Sequence, residues 1–266
     1  NLDQLLSVLR QFNPSVIVNA AAYSAVYLAE SEKMLAICIN GEAPGVLAEE
    51  AALVGALLIH YSTDYVFDGQ KGTPYVESDG TGPQSVYGSS KLLGEQAIVA
   101  VNCRSVIFRT SWVFGARGGN FVKTILRLAR EKDALNVVAD QIGSPTPAAM
   151  IATVSGLVLG MLRQGRMMEV DEHRLYHLAA ANPLSWHGFA QTIVEQAAAM
   201  PGFDLHLRPE AIQAIPSSAY PTPAKRPMNS RLDCTKLETD FDLQMPDWQP
   251  YLGRMLQLLS LKQNGY

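Results

Sequence analysis

Three unbroken apolar runs, at residues 16–18, 57–59 and 106–108, recur between segments of helical character. A strand with one wet face alternates apolar and polar side chains, whereas a strand covered on both faces reads as a continuous apolar run. The runs therefore demand helices above and below a sheet. Their alternation with helical segments predicts a parallel, doubly wound α/β sheet. In such sheets ligands bind beyond the carboxyl ends of the strands, so residues just after each run are the candidates for chemistry.

The elements follow from spacing and punctuation. Leu2, Leu5, Leu6, Leu9 and Phe12 repeat at helical period and stop at Asn13-Pro14. Val16-Ile17-Val18-Asn19-Ala20-Ala21-Ala22 reads as a strand whose small last residues let a ligand approach the backbone. Helices are expected over 43–54, 83–101, 148–163 and 186–199, and strands ending at Thr63, over 106–112 and over 174–178. Residues 201–250 are proline-rich and broken. The expected division is a nucleotide-binding domain over 1–140 and a smaller lobe over 141–266, mainly substrate-binding, with some segments returning to the first domain.

Composition narrows the partners. At 266 residues, with 48% hydrophobic and 17% charged residues, the chain can bury a full core. A net charge of −4 with scattered Lys and Arg argues against a nucleic-acid surface, and no apolar run approaches a membrane span of roughly 18 residues. Cys38, Cys103 and Cys234 are odd in number and lack metal-ligand spacing. They read as free thiols of a reducing, cytoplasmic compartment. A small-molecule ligand is expected.

The chemistry concentrates at Tyr87 and Lys91, four residues apart and hence on one helix face. An ammonium beside a phenol favours the phenolate, and moving a tyrosine pKa from ~10 to ~7 takes roughly 4 kcal/mol. Such a tyrosine can deliver a proton to a carbonyl oxygen at neutral pH. Thr63 ends a strand some two dozen residues earlier, where its hydroxyl can bond the same carbonyl; the alternative for Thr63 and Asp64 is a loop cap and a turn residue.

These residues belong to an ordered set: 18–22, 61–67, Val86-Tyr87-Gly88 with Lys91, 109–113, Asp140-Gln141 with Gly143 and Pro145-Thr146, and 221–224 with Arg226-Pro227 and Asn229-Ser230. The set, covering nearly the whole chain, resembles the dTDP-4-dehydrorhamnose reductases of the extended short-chain dehydrogenase/reductase family. The resemblance implies a Rossmann-like sheet and a smaller substrate-binding lobe. It implies reduction of the C4 carbonyl of dTDP-4-dehydro-L-rhamnose to dTDP-L-rhamnose by NADPH or NADH. By the same resemblance Tyr87 donates the proton, Lys91 binds the nicotinamide ribose, and Thr63, Asp64 and Trp112 contact substrate. Ala22, Tyr23, Ser24 and Tyr61, with Tyr87 and Lys91, line the cofactor. A homodimer, assisted by Mg2+ at its interface, is also implied, without assignable ligands.

Two departures stand out. The family opens with a strand and a glycine-rich turn that holds the cofactor pyrophosphate; none is present after Asn1. The expectation is an N-terminally truncated form, poorly active by itself, with the loop Gly115-Ala116-Arg117-Gly118-Gly119 as a lesser substitute. Tyr27-Leu28 stand where an acidic and a basic residue are usual, removing charge beside the cleft. The alternative reading is a noncatalytic regulatory protein like the β subunit of methionine adenosyltransferase, whose C-terminal lobe resembles residues 232–238; an epimerase of the same superfamily fits the motifs less well.

Overall fold

A computed structural model describes residues 2–101, 103–164 and 173–263. In chain order the elements are α1 (Leu2–Phe12), β1 (Val16–Asn19), α2 (Val26–Ala29), α3 (Lys33–Ile37), a π turn (Cys38–Glu42), α4 (Ala43–Val54), β2 (Leu57–Thr63), α5 (Val86–Ala100), β3 (Ser105–Thr110), β4 (Val113–Phe114) and α6 (Phe121–Glu131). There follow β5 (Leu135–Val138), β6 (Ile142–Gly143), β7 (Thr146–Pro147), α7 (Ala148–Arg163), β8 (His173–His177), β9 (Leu184–Ser185), α8 (Trp186–Ala198), β10 (Ile212–Ile215), β11 (Asn229–Ser230), α9 (Thr235–Phe241) and α10 (Gln249–Gln263).

The main sheet runs β1-β2-β3-β8, every pair parallel. Successive side chains on each strand face opposite ways, which explains the continuous runs. Leu58 and Ile107 pack with Ile17, Leu47, Ala51 and Ile98 on one face, under α4 and α5. Leu57, Ile59, Val106 and Phe108 pack on the other, in the larger core built with α6 to α10. The mixed α/β architecture and parallel sheet are as the sequence predicts, and β8 shows the later half of the chain returning to the first sheet. β1 is an edge strand of this sheet, with Val18 54% exposed.

Short strands outside the main sheet form the rest. β5 pairs with β10, β4 with β7, and β11 and β9 flank β6. These pairings carry residues 142–147 and 229–230 toward the carboxyl ends of β2 and β3.

Caps decide where the expected elements start and stop. The helix expected from residue 83 begins at Val86, because the Ser85 hydroxyl accepts the Gly88 amide at 3.1 Å and so caps it. The first strand stops at Asn19, short of Ala22, because Asn19 Oδ1 accepts the Ala21 amide at 3.2 Å and turns the chain. The strand expected to reach Trp112 ends at Thr110. Trp112 itself adopts φ +47°, a left-handed conformation uncommon for a bulky side chain.

Candidate functional site

The carboxyl end of β2 delivers Thr63 and Asp64, both almost fully buried. Thr63 Oγ1 accepts the Tyr65 amide at 3.2 Å and donates to Asp64 Oδ1 at 3.0 Å, which locks the following 3₁₀ turn. α5 brings Tyr87 alongside, its phenol near enough to the Thr63 hydroxyl to feel it and its ring edge-on to Tyr65 at 5.5 Å. Gly88 makes this approach possible: a Cβ there would overlap the Tyr65 carbonyl oxygen. The structure places Thr63 and Tyr87 side by side at this close approach.

Lys91 lies one turn further along α5, buried, with Nζ 3.2 Å from His60 Nε2. His60 Nδ1 in turn lies 3.0 Å from Asn19 Nδ2. Burial lowers Lys91 to about 8, opposed by the charge of Glu95, and burial with the Lys91 charge holds His60 well below its ordinary value. The expected depression of Tyr87 is absent here. Burial pushes its phenol up to about 12, the Thr63 hydrogen bond draws it back, and the Asp64 charge adds to the rise. The ammonium lies against His60, and desolvation decides the phenol's state. Asp64 is raised to about 6 by burial, against the Ser230 and Thr63 hydroxyls and the charge of Arg226. Its Oδ2 makes no well-formed hydrogen bond.

The other wall comes from the later half of the chain. The Trp112 indole stacks on Trp186 at 3.4 Å between centroids and 10° between planes. It rests on Gly143, where a Cβ would lie 2.5 Å from Trp112 Cε2. The Arg226 guanidinium sits 5.8 Å from the Trp186 ring and 4.9 Å from the Tyr27 ring. Trp186, Arg226, Ser230, His60 and Asn19 escaped the sequence reading as site residues. A polar pair at matched positions ending two apolar runs was the available signal for Asn19 and His60, which are register partners.

The residues implied to line a cofactor divide. Ala20, Ala21, Ala22 and Ser24 form an exposed shelf beyond β1. Its shape is held by Asn40 on the π turn, which accepts the Tyr23 amide at 2.8 Å and donates to the Tyr23 carbonyl at 3.0 Å and to Ser90 Oγ at 3.0 Å. Tyr23 also donates its hydroxyl to Glu32 at 2.7 Å. Tyr61 faces α7, donating to Ser155 at 2.8 Å and stacking on Phe108.

These residues fit the nicotinamide and ribose end of a dinucleotide. The shelf is small and open, and the Lys91 ammonium, with one hydrogen bond, keeps donors for ribose hydroxyls. No glycine lies between β1 and α2 to cradle a pyrophosphate. Among the described residues no group of three or more His, Cys, Asp or Glu side chains could hold a metal ion.

Comparison with known proteins agrees with this geometry. Residues 1–261 match the RmlD substrate binding domain family. The chain is 46% identical to a dTDP-4-dehydrorhamnose reductase of Burkholderia thailandensis, covering 94% of this chain and 84% of the relative. It is 42% identical to the dTDP-4-dehydrorhamnose reductase of Escherichia coli K12, over 97% and 84%. The crystal structure of a dTDP-4-dehydrorhamnose reductase from Bacillus anthracis in complex with NADP superimposes with a TM-score of 0.84 at 33% identity, over 97% of this chain and 85% of that one. An orthologue from Clostridium acetobutylicum gives 0.85 at 34% identity, over 97% and 86%. Nothing in these matches supports a regulatory, noncatalytic subunit.

Proposed function

The chain belongs to the RmlD family of dTDP-4-dehydrorhamnose reductases, and we propose on that premise that it reduces the C4 carbonyl of dTDP-4-dehydro-L-rhamnose to give dTDP-L-rhamnose. The observation that carries the reading is the juxtaposition of the Tyr87 phenol with Thr63 and Asp64 at the carboxyl end of β2, made possible by the close approach at Gly88. Bound NADPH or NADH supplies a hydride to C4. Tyr87, kept protonated by burial, gives its proton to the carbonyl oxygen, and Thr63 fixes that oxygen's direction. Lys91 orients the ribose from its seat on His60, and once beside the phenol its charge offsets the phenolate that forms. Asp64 shares the Thr63 hydroxyl and faces the same space, while Trp112 lies against the sugar.

A homodimer is part of the proposal, supported by the exposed Met34, Leu35, Leu53, Leu93 and Val99 on α3 to α5. Mg2+ at that interface would need ligands from both copies. A cytoplasmic location is consistent with the free cysteines and a nucleotide-sugar substrate. No described helix is long and apolar enough to cross a membrane. The test is loss of NADPH absorbance on addition of dTDP-4-dehydrorhamnose to the purified chain. Turnover that Tyr87→Phe abolishes supports the reading, and a wild-type chain that binds NADPH without turnover contradicts it.

A further inference from the structure

His60 is fully buried in β2, with one ring nitrogen toward β1 and the other toward α5. Burial keeps the ring neutral, so it has one N–H to give and one lone pair to receive with. Asn19 decides which nitrogen holds the proton. Its Oδ1 accepts the Ala21 amide at 3.2 Å, and a backbone N–H cannot turn round to suit a flipped side chain. Asn19 therefore presents its Nδ2 donor to His60 Nδ1 at 3.0 Å, which makes Nδ1 the ring's acceptor. The proton is left on Nε2.

That proton points at Lys91 Nζ, 3.2 Å away. An amine receives it through its lone pair, whereas an ammonium has three donors and no acceptor. With Lys91 charged, the ring faces two donors and has one lone pair to offer, and a buried donor left unmet is costly. The surroundings do not remove this conflict. On α5 itself Tyr87 lies one turn before Lys91 and Glu95 one turn after, and Glu95 is bound to Arg109 of β3. Asp64, in the turn after β2, acts on Tyr87. Asn40 of the π turn, which donates to Ser90 beside Lys91, is uncharged, as is Asn19 on β1. Burial, opposed by Glu95, brings Lys91 to about 8, within reach of neutral solution.

We propose that His60 is a positioning residue that governs the proton on Lys91: held by Asn19 in its Nε2–H form, the ring favours the amine, and protonation of Lys91 moves the ring to its Nδ1–H form and releases the Asn19 contact. One proton is taken from solvent, and the ring keeps one throughout. Asn19 also shapes the turn into the exposed shelf at 20–22, so the exchange reaches the segment implied to line the cofactor. Its bearing on turnover rests on the reductase reading, in which the ammonium is the form that offsets the Tyr87 phenolate.

Ring-nitrogen NMR on the purified, 15N-labelled chain tests this without cofactor. Of the five histidines, His60 is the signal that His60→Gln removes and Lys91→Met displaces. Wild type is expected to show the Nδ1–H form at the acid end of a titration, the Nε2–H form at the alkaline end, and a midpoint near 8. Lys91→Met should leave Nε2–H at every pH. Asn19→Asp, whose carboxylate accepts from Nδ1–H, should raise the midpoint by about one unit or more, a tenfold tighter hold on the Lys91 proton. NADPH oxidation should fall through the same midpoint in wild type and through the raised one in Asn19→Asp; a merely structural role would lower kcat without moving the limb. One tautomer at every pH in wild type overturns the proposal, as does an imidazolium, or a switch that survives Lys91→Met. The wild-type titration decides the outcome even where a variant fails to fold. A ring that switches in a chain without turnover sinks the reductase reading and leaves the role of His60 standing, and turnover beside a fixed ring does the reverse.

Discussion

Arg109 is buried and Arg226 half-buried, and the chain treats them in opposite ways. Arg109, on β3, is met by Glu95 of α5 through Nε at 3.0 Å and Nη2 at 2.6 Å, and Glu95 also accepts the Ser62 hydroxyl. Only Nη1 of Arg109 lacks a partner, and its guanidinium lies 5.0 Å over the Phe67 ring. Arg226 lies over the Tyr27 and Trp186 rings and, among the described residues, makes no ion pair, although its charge reaches Asp64. Burying an ion costs several kcal/mol, and at Arg109 the fold offsets that cost with a charge of its own. At Arg226 it does not. Charge complementarity completed within the chain marks Arg109 as scaffold.

The cleft and the scaffold should therefore fail differently. Tyr87→Phe is expected to lower kcat by about 10²- to 10⁴-fold with an unchanged melting temperature, measured by NADPH oxidation and by thermal melting. A large fall in melting temperature would place Tyr87 with the scaffold instead. Glu95→Ala strands Arg109 as a buried, unpaired charge and is expected to cost about 3–5 kcal/mol in a denaturant titration. Replacing both Glu95 and Arg109 by Met should recover much of that loss; if the double variant is no more stable than Glu95→Ala, the pair is not the cause.

Asp64 tests the boundary between the two regions. Its carboxyl titrates near 6 in the folded chain against an ordinary 3.8, so the folded state holds the proton more tightly than the unfolded one. Its contribution to stability is present below about pH 4 and is lost as pH rises through about 6, a fall of at most about 3 kcal/mol. Denaturation of wild type and Asp64→Asn across that window should show the decline only in wild type. Parallel pH profiles would count against a buried, neutralisable carboxyl. The smallest effect is expected from Gly143→Ala, whose methyl displaces the Trp112 indole; KM for the dehydro-sugar should rise about tenfold with kcat little changed. An unaltered KM would mean that Trp112 does not touch substrate.

Much of this molecule could be read before folding. Continuous apolar runs 16–18, 57–59 and 106–108 require a sheet covered on both faces, because strand periodicity is a local property of the backbone. The Tyr87–Lys91 spacing likewise puts both side chains on one helix face, since 3.6 residues make a turn. What no local rule contains is the company those residues keep. Lys91 meets His60, which Asn19 holds from its other side, only because β1, β2 and α5 converge, and burial in that convergence leaves Tyr87 above its ordinary pKa instead of below it. Arg226 and Trp186 reach the cleft from 139 and 99 residues beyond Tyr87 through the pairings of β11, β6 and β9. Desolvation and long-range pairing depend on which surfaces meet, so the tertiary structure alone decided that Arg109 would be neutralised by Glu95 and Arg226 held against the Tyr27 and Trp186 rings.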